Sequence, residues 1–117
     1  MVYEVIRSGD SERDLGLIFD HLVEAYVSLG DDLSDALERA AERLRALEDQ
    51  MELIGETPYQ GTLLPNLSHG LRNVTKNQAI FYFEVSEEEQ QVRILAVFFG
   101  GQDHQRHMLA RLGKKTA

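Results

Sequence analysis

The sequence contains no cysteine and only two prolines among its 117 residues. Without thiols the chain forms neither a disulfide framework nor a thiolate metal site, and this composition fits a reducing, cytoplasmic setting. No apolar run approaches the roughly 20 residues that cross a bilayer. The N-terminus also lacks the basic and then apolar layout of a secretory signal. The sequence therefore predicts a cytoplasmic protein with no membrane contact.

Positive charge is also scarce, since 12 Lys and Arg residues face 20 Asp and Glu residues and the net charge is −8. Direct sequence-specific binding to nucleic acid is not expected, because neutralising phosphates requires clustered cations. The deficit is uneven: residues 1–60 carry 15 acidic and five basic side chains, whereas residues 61–117 carry five acidic and seven basic ones. A locally basic surface in the second half therefore remains open.

The N-terminal part is predicted to form a strand and then a helix. Val2–Arg7 is rich in β-branched and aromatic residues, which is typical of a strand. From Ser11 onward apolar residues recur at steps of three and four, which indicates a helix that Gly30 ends. Ser11 and Asp14 have the spacing of a capping box. The predicted apolar stripe consists of Leu15, Ile18, Phe19, Leu22, Val23, Tyr26 and Leu29.

A second helix is predicted to begin near Asp32 or Ser34 and to end at Gly55. The connection between the two helices is only a few residues long, so they are expected to form an antiparallel hairpin. The apolar stripe predicted for the second helix consists of Leu33, Leu37, Ala40, Ala41, Leu44, Leu47 and Met51.

The second half of the chain changes to a period of two, which indicates strands. Both prolines lie in an irregular link over residues 57–70. Three strands are predicted, Leu71–Thr75, Ala79–Val85 and Gln91–Phe99, and their short connections imply an antiparallel meander. A short helix, His104–Leu112, is predicted to follow, with Asp103 as its N-cap.

Together these elements predict one domain over residues 1–117 with an α+β fold. Apolar residues make up 43% of the chain and charged residues 27%, a balance typical of a globular protein with one core. The expected architecture is an N-terminal strand, an antiparallel two-helix hairpin packed on a mainly antiparallel β-meander, and a short C-terminal helix.

The last predicted strand is apolar on both faces. Regular alternation puts Arg93, Leu95, Val97 and Phe99 on one face, and it puts their neighbours on the other: Val92, Ile94, Ala96 and Phe98. A single hairpin covers only one face of a sheet, and the short C-terminal helix is expected to cover only part of the other face. A groove for a partner is therefore expected on the remainder. Two alternatives stay open, because the link 57–70 or a homodimer contact would also bury these side chains.

Several segments carry a resemblance to a known family. They are Asp14-Leu15 with Ile18, Pro58 with Gly61, Gly70-Leu71-Arg72, Ile80-Phe81-Tyr82 and, most strongly, the run from Val92 to His104. With this order of elements, the sequence resembles the RelE/ParE toxin superfamily over nearly its whole length, and ParE-like members in particular. The resemblance implies the toxin of a type II toxin–antitoxin system, neutralised by a ParD-like antitoxin and acting on DNA gyrase without hydrolytic chemistry.

The resemblance and the apolar strand together suggest two sets of binding residues. The residues expected to bind the antitoxin are Arg72, Arg93, Leu95, Val97 and Phe99. The residues expected to contact the target, at the end of the last strand and in the helix after it, are Gln102, Asp103, His104, His107 and Arg111.

The alternative implied by the resemblance is a RelE-like, ribosome-dependent mRNA endonuclease. Its candidate catalytic residues are Arg72, His104 and His107, with His69 as a further histidine able to converge on them. The absence of Lys and Arg from the link 57–70 argues against cleavage, because the transition state needs nearby cationic charge. No metal site is expected, since no third firm ligand accompanies the two helix histidines, and no cofactor is expected.

Overall fold

A computed structural model of the protein describes residues 2–100 and 103–116. The elements in chain order are β1 (Glu4–Arg7), α1 (Gly9–Ser28), α2 (Leu33–Ile54), β2 (Thr62–Leu63), β3 (Leu71–Lys76), β4 (Ala79–Ser86), β5 (Gln91–Phe99) and α3 (His104–Thr116). This order confirms the predicted α+β architecture and adds β2, a two-residue strand in the link. None of the helices in the described part has the length and apolar character needed to cross a bilayer.

The first helix begins earlier than predicted, because Ser8 and not Ser11 is its N-cap. Ser8 has an extended backbone, and its Oγ accepts a hydrogen bond from the Ser11 backbone N–H at 3.1 Å. The Ser11 hydroxyl donates back to the Ser8 carbonyl at 2.8 Å. The predicted capping box of Ser11 and Asp14 is therefore wrong, and the Asp14 side chain is buried inside the protein instead.

The tip of the helical hairpin is more exposed than its apolar pattern predicts. Burial in α1 ends at Leu22 among the described residues, and in α2 it begins at Ala36. Leu33 and Leu37, predicted to lie in the core, are 61% and 42% exposed, and Leu29 is exposed as well. Helical periodicity identifies a face but cannot tell where the layer beneath that face ends.

The five strands form one sheet in the order β1-β5-β4-β3-β2. β1 pairs with β5 in parallel, and the other neighbours pair antiparallel, as expected for the meander. The hairpin covers one face of this sheet. The core on that face, called the hairpin-side core, includes these buried residues: Leu15, Ile18, Leu22, Ala40, Leu47, Met51, Ile54, Ala79, Phe81, Phe83, Val92, Ile94 and Val97.

A β-bulge at Leu95 changes which residues of β5 share a face. Tyr82 pairs with Ala96 and Phe83 pairs with Ile94, so Leu95 is an extra residue in the strand. Alternation restarts after the bulge, so Val97 joins the hairpin-side core, and Leu95 and Ala96 lie in a core on the other face. The predicted grouping of Leu95 with Val97 and Phe99 is therefore wrong.

The face opposite the hairpin is largely covered by the chain itself. Its buried residues, called the far-side core, are Leu71, Ile80, Tyr82, Leu95, Ala96 and Met108. Leu64 and Leu67 of the link and Leu112 of α3 pack against them. The C-terminal helix covers part of this face, as expected, and the link covers Leu95 with it, so that Leu95 is only 9% exposed. The groove expected on the remainder of the face is therefore not found at Leu95, where the alternative of burial by the link applies.

Replacing the N-cap, Ser8→Ala, is expected to lower the free energy of unfolding by about 1–2 kcal/mol, because the Ser11 N–H loses its acceptor. Urea denaturation followed by circular dichroism measures the change. Ser28→Ala is the matched control, since Ser28 lies at the exposed end of α1 and bonds only to the carbonyl of Ala25. Equal losses of stability in Ser8→Ala and Ser28→Ala would contradict the assignment of Ser8 as the N-cap of α1.

Candidate functional site

A buried carboxylate connects three elements of the fold. Asp14 of α1 accepts a hydrogen bond from the backbone N–H of Val97 in β5 at 2.9 Å. The Arg111 guanidinium of α3 donates to both Asp14 oxygens, at 2.9 and 3.0 Å. Such a bidentate pair is directional as well as strong. The hydrogen bond to Asp14 raises the pKa of Arg111, although desolvation opposes it, so the guanidinium stays protonated.

Two further contacts hold α3 against the sheet. The Nδ1 atom of His104 lies 2.7 Å from the Tyr82 hydroxyl, and the His107 ring stacks on Phe98 with centroids 5.9 Å apart. Met108, from the same helix, is buried in the far-side core. The side chains of His104 and His107, predicted to contact a target, therefore make contacts within the protein.

A cleft opens where α1, the C-terminal half of β5 and α3 meet. It is called the β5 cleft and has a volume of about 350 Å³. Its lining consists of Asp14, Leu17, Ile18, His21, Val97, Phe98, Phe99, His107 and Arg111. Leu17 is 67% exposed, and Phe98 and Phe99 are half-buried, so apolar surface lies open beside the ion pair.

The backbone of β5 is also exposed to the cleft. β1 runs only as far as Arg7, which pairs with Ile94. Beyond that point the Val97 N–H turns away from β4 and bonds to Asp14. Backbone groups alternate along a strand, so Phe99, two residues further, directs its N–H and C=O to the same side as Val97. Within residues 2–100 and 103–116, the cleft therefore contains a short strand edge at Phe99 with which no further strand pairs.

The structure divides the predicted antitoxin-binding residues among separate places. Val97 and Phe99 line the β5 cleft, whereas Leu95 is buried in the far-side core. Arg72 pairs across from Phe83 on the hairpin face, and its Nη1 donates to the Tyr59 carbonyl at 2.9 Å. Arg93 pairs across from Glu84, on the opposite face. Arg72 and Arg93, both expected to bind the antitoxin, therefore lie on opposite faces of the sheet.

The candidate nuclease residues do not converge. Arg72 lies on the hairpin face, whereas His104 contacts Tyr82 in the far-side core. His69 lines a different, polar cavity together with Glu84 and Arg93. Within residues 2–100 and 103–116, no group of three His, Asp or Glu side chains is placed to hold a metal ion.

Some of the residues predicted to contact the target are exposed, and others bond to side chains within the protein. Asp103 is exposed and lies 3.6 Å from Arg106 on the first turn of α3. Arg111 bonds to Asp14, as described above. Gln102 lies outside the described residues, as does Gly101 of the turn before α3.

Sequence reasoning missed three residues of α1 that line the cleft, Asp14, Leu17 and His21. Asp14 lies four residues before Ile18 and eight before Leu22, so it shares their buried face, and an acid on an apolar stripe was the available signal. Leu17 and His21 lie one turn apart beside that stripe and line the cleft. An exposed leucine off the core stripe has no distinct pattern in the sequence.

Comparisons with known proteins support the fold. No family model matches the sequence, and no curated protein matches it either. Among solved structures, a chain of the chromosomal ParDE toxin–antitoxin system from P. aeruginosa has a TM-score of 0.63 and 21% identity, over 85% of this chain and 97% of that one. The chain has the RelE/ParE toxin fold. A chain of the toxin–antitoxin complex RelBE2 from Mycobacterium tuberculosis has a TM-score of 0.61 and 15% identity, over 87% of this chain and 95% of that one.

In this RelE/ParE fold, Arg111→Met is expected to lower the free energy of unfolding by about 2–3 kcal/mol, because it leaves the Asp14 charge buried without its partner. The control is Arg106→Met on the same helix, where the arginine is 83% exposed and the expected loss is below about 0.5 kcal/mol. Urea denaturation compares the two. Similar losses would show that the Asp14–Arg111 pair does not hold α3.

Tyr82 is expected to give this fold a pH dependence at the alkaline end. Burial raises the pKa of Tyr82 above the ordinary tyrosine value, against a weaker opposing hydrogen bond from Asn73. The unfolded chain therefore loses this proton first, so the free energy of unfolding falls as pH rises above about 10. Urea titrations from about pH 8 to 11 measure the slope, which Tyr82→Phe should make shallower. If Tyr82→Phe left the slope unchanged, groups other than Tyr82 would cause the fall in the free energy of unfolding at alkaline pH.

Proposed function

We propose that this chain is the toxin of a type II toxin–antitoxin pair and that its antitoxin binds in the β5 cleft. The observation that carries the proposal is the fold, which matches chains of two toxin–antitoxin systems over most of their length. The notable feature of this chain's own surface is an apolar cleft beside an open strand edge, which is a suitable site for a peptide segment.

The β5 cleft suits an extended antitoxin segment for two physical reasons. The backbone N–H and C=O of Phe99 are available to pair with an added strand, which supplies affinity without regard to sequence. Leu17 and Phe98 present apolar surface on either side, which selects for apolar side chains on the segment. We propose a ParD-like antitoxin as the source of this segment, and the cytoplasm as the place where the pair acts.

For the target we propose DNA gyrase, bound without chemistry. Hydrolysis of RNA needs an acid, a base and a cation around one phosphate, and here Arg72 and His104 lie on opposite faces of the sheet. The hydroxyl next to His104 belongs to Tyr82, and the Tyr82 side chain is completely buried. The net charge of −8 also disfavours binding to ribosomal RNA. The candidate surface for gyrase is the N-terminal end of α3, where Asp103 and His107 are exposed, and there His107 also borders the β5 cleft.

Expression of the chain alone tests the toxin proposal. Growth arrest is expected, with relief when the antitoxin is expressed in the same cell. Purified protein at micromolar concentration is expected to inhibit DNA supercoiling by gyrase. Normal growth and normal supercoiling would remove the proposal, and codon-positioned cuts in translated messages, seen by primer extension, would favour the RelE-like endonuclease instead.

A substitution in the cleft separates antitoxin binding from toxicity. Leu17→Asp is expected to weaken antitoxin binding by at least about tenfold, because it puts a charge on the apolar wall of the cleft, while leaving toxicity intact. Leu53→Asp, at a similarly exposed leucine near the end of α2, is the matched control. Isothermal titration calorimetry measures both affinities. Unchanged binding by the Leu17 variant would place the antitoxin elsewhere.

A further inference from the structure

The far face of the sheet carries a polar cavity beyond the edge of the far-side core. It is called the β4–β5 cavity and has a volume of about 320 Å³. Its lining consists of His69, Gly70, Glu84, Val85, Ser86, Glu89, Gln91 and Arg93. It lies near the start of β5, whereas the β5 cleft lies near the end of that strand. The two sites have no lining residue in common.

Two cross-strand pairs form the floor of the β4–β5 cavity. Glu84 of β4 pairs with Arg93 of β5, and Ser86 pairs with Gln91. Side chains alternate between the faces of a strand, so these four share the face of Tyr82. Along β4 this face is therefore buried at Tyr82 and polar from Glu84 onward. The cavity begins where packing by the chain itself ends.

Two of the four floor side chains already have partners within the protein. The Gln91 Nε2 donates to the Glu4 carboxylate at 3.2 Å. The Ser86 Oγ accepts a hydrogen bond from the backbone N–H of Glu89 at 3.3 Å. The second bond holds the turn between β4 and β5, which places Glu89 at the wall of the cavity.

The charged groups that remain in the cavity are unpaired. Among the residues that the structure describes, the side chains of His69, Glu84, Glu89 and Arg93 form no ion pair or hydrogen bond. Glu84 and Arg93 lie directly opposite each other, where opposite charges usually pair. Because they do not pair here, a carboxylate and a guanidinium are both available to one ligand.

We infer that the β4–β5 cavity binds a free α-amino acid with a cationic side chain, such as lysine or arginine. An α-amino acid carries its carboxylate and its ammonium on one carbon atom, so it bridges two opposite charges on neighbouring strands. The Arg93 guanidinium donates two parallel hydrogen bonds to the ligand carboxylate, and the Glu84 carboxylate accepts from the ligand ammonium.

The turn between β4 and β5 accounts for the cationic side chain of the ligand. Glu89 lines the cavity, and Glu87 and Glu88 are exposed beside it in the same turn. Three neighbouring carboxylates give this wall a negative potential, which attracts a cation. The side-chain ammonium or guanidinium of the ligand therefore lies toward Glu89.

Other ligands fit the β4–β5 cavity less well. The phosphate of a nucleotide is repelled by the carboxylates of residues 87–89. A cation without a carboxylate leaves Arg93 unpaired, and a terminal residue of a polypeptide lacks either the free ammonium or the free carboxylate. The volume is at the lower end of the range for ligand pockets, about 300–1,000 Å³, which suits one amino acid.

The experiment titrates the full chain with lysine and three analogues in isothermal titration calorimetry at low salt. Lysine is expected to bind with a Kd below about 1 mM. Lysinamide, which lacks the carboxylate, and Nα-acetyllysine, which lacks the α-ammonium, are each expected to bind at least about tenfold more weakly. Norleucine, which lacks the side-chain cation, is also expected to bind more weakly than lysine.

Two substitutions assign the ligand groups to their partners. Arg93→Gln is expected to weaken lysine binding at least about tenfold but to leave lysinamide binding nearly unchanged. Glu84→Gln is expected to weaken lysine binding similarly but to leave Nα-acetyllysine binding nearly unchanged. The matched controls, Arg106→Gln and Glu38→Gln, make the same changes of charge at exposed positions on the helices and should bind lysine normally. Circular dichroism verifies that all four variants are folded.

Four outcomes would overturn the inference. The first is no binding of lysine or arginine at about 10 mM. The second is equal affinity for lysine, lysinamide and Nα-acetyllysine, and the third is equal behaviour of the cavity variants and their controls. Tighter binding of Nα-acetyllysine than of lysine is the fourth, because it would indicate the C-terminal residue of a polypeptide. None of them bears on growth arrest or on Leu17→Asp, since the cavity is separate from the β5 cleft.

Discussion

The arrangement of the second half of this protein depends on one carboxylate, that of Asp14. β1 ends at Arg7, and from there β5 has no strand on its outer side among the residues that the structure describes. A buried backbone N–H without an acceptor costs roughly 1–3 kcal/mol, and Asp14 accepts the one from Val97. The resulting buried charge needs a cation, which Arg111 supplies. The position of α3 therefore follows from the place where β1 stops.

The same interaction decides how the sheet is covered. Because Arg111 fixes α3, Met108 is held against Tyr82 and closes the far-side core together with Leu64 and Leu67. The hairpin covers the other face. What remains open is the corner where the three elements meet, and this corner is the β5 cleft. The cleft thus forms because β1 is short and α3, not a strand, lies beside the rest of β5.

The sequence was sufficient to predict the order of elements because that order depends on local periodicity. The last strand was predicted with its observed bounds, Gln91–Phe99, and the helical hairpin was also predicted correctly. The bulge at Leu95 was not predictable, since it arises from pairing between β4 and β5 and leaves no mark on an apolar run. One extra residue then exchanged the faces of every residue after it.

The candidate site was predictable only in part, for the same reason. Val97 and Phe99, which were expected to bind the antitoxin, both line the β5 cleft, but they lie on the face that the hairpin covers. Arg72 and Arg93 were both expected to bind the antitoxin, but β4 separates their strands and the pairing puts them on opposite faces. Long-range pairs such as Asp14 with Arg111, 97 residues apart in sequence, need the fold before they can be seen.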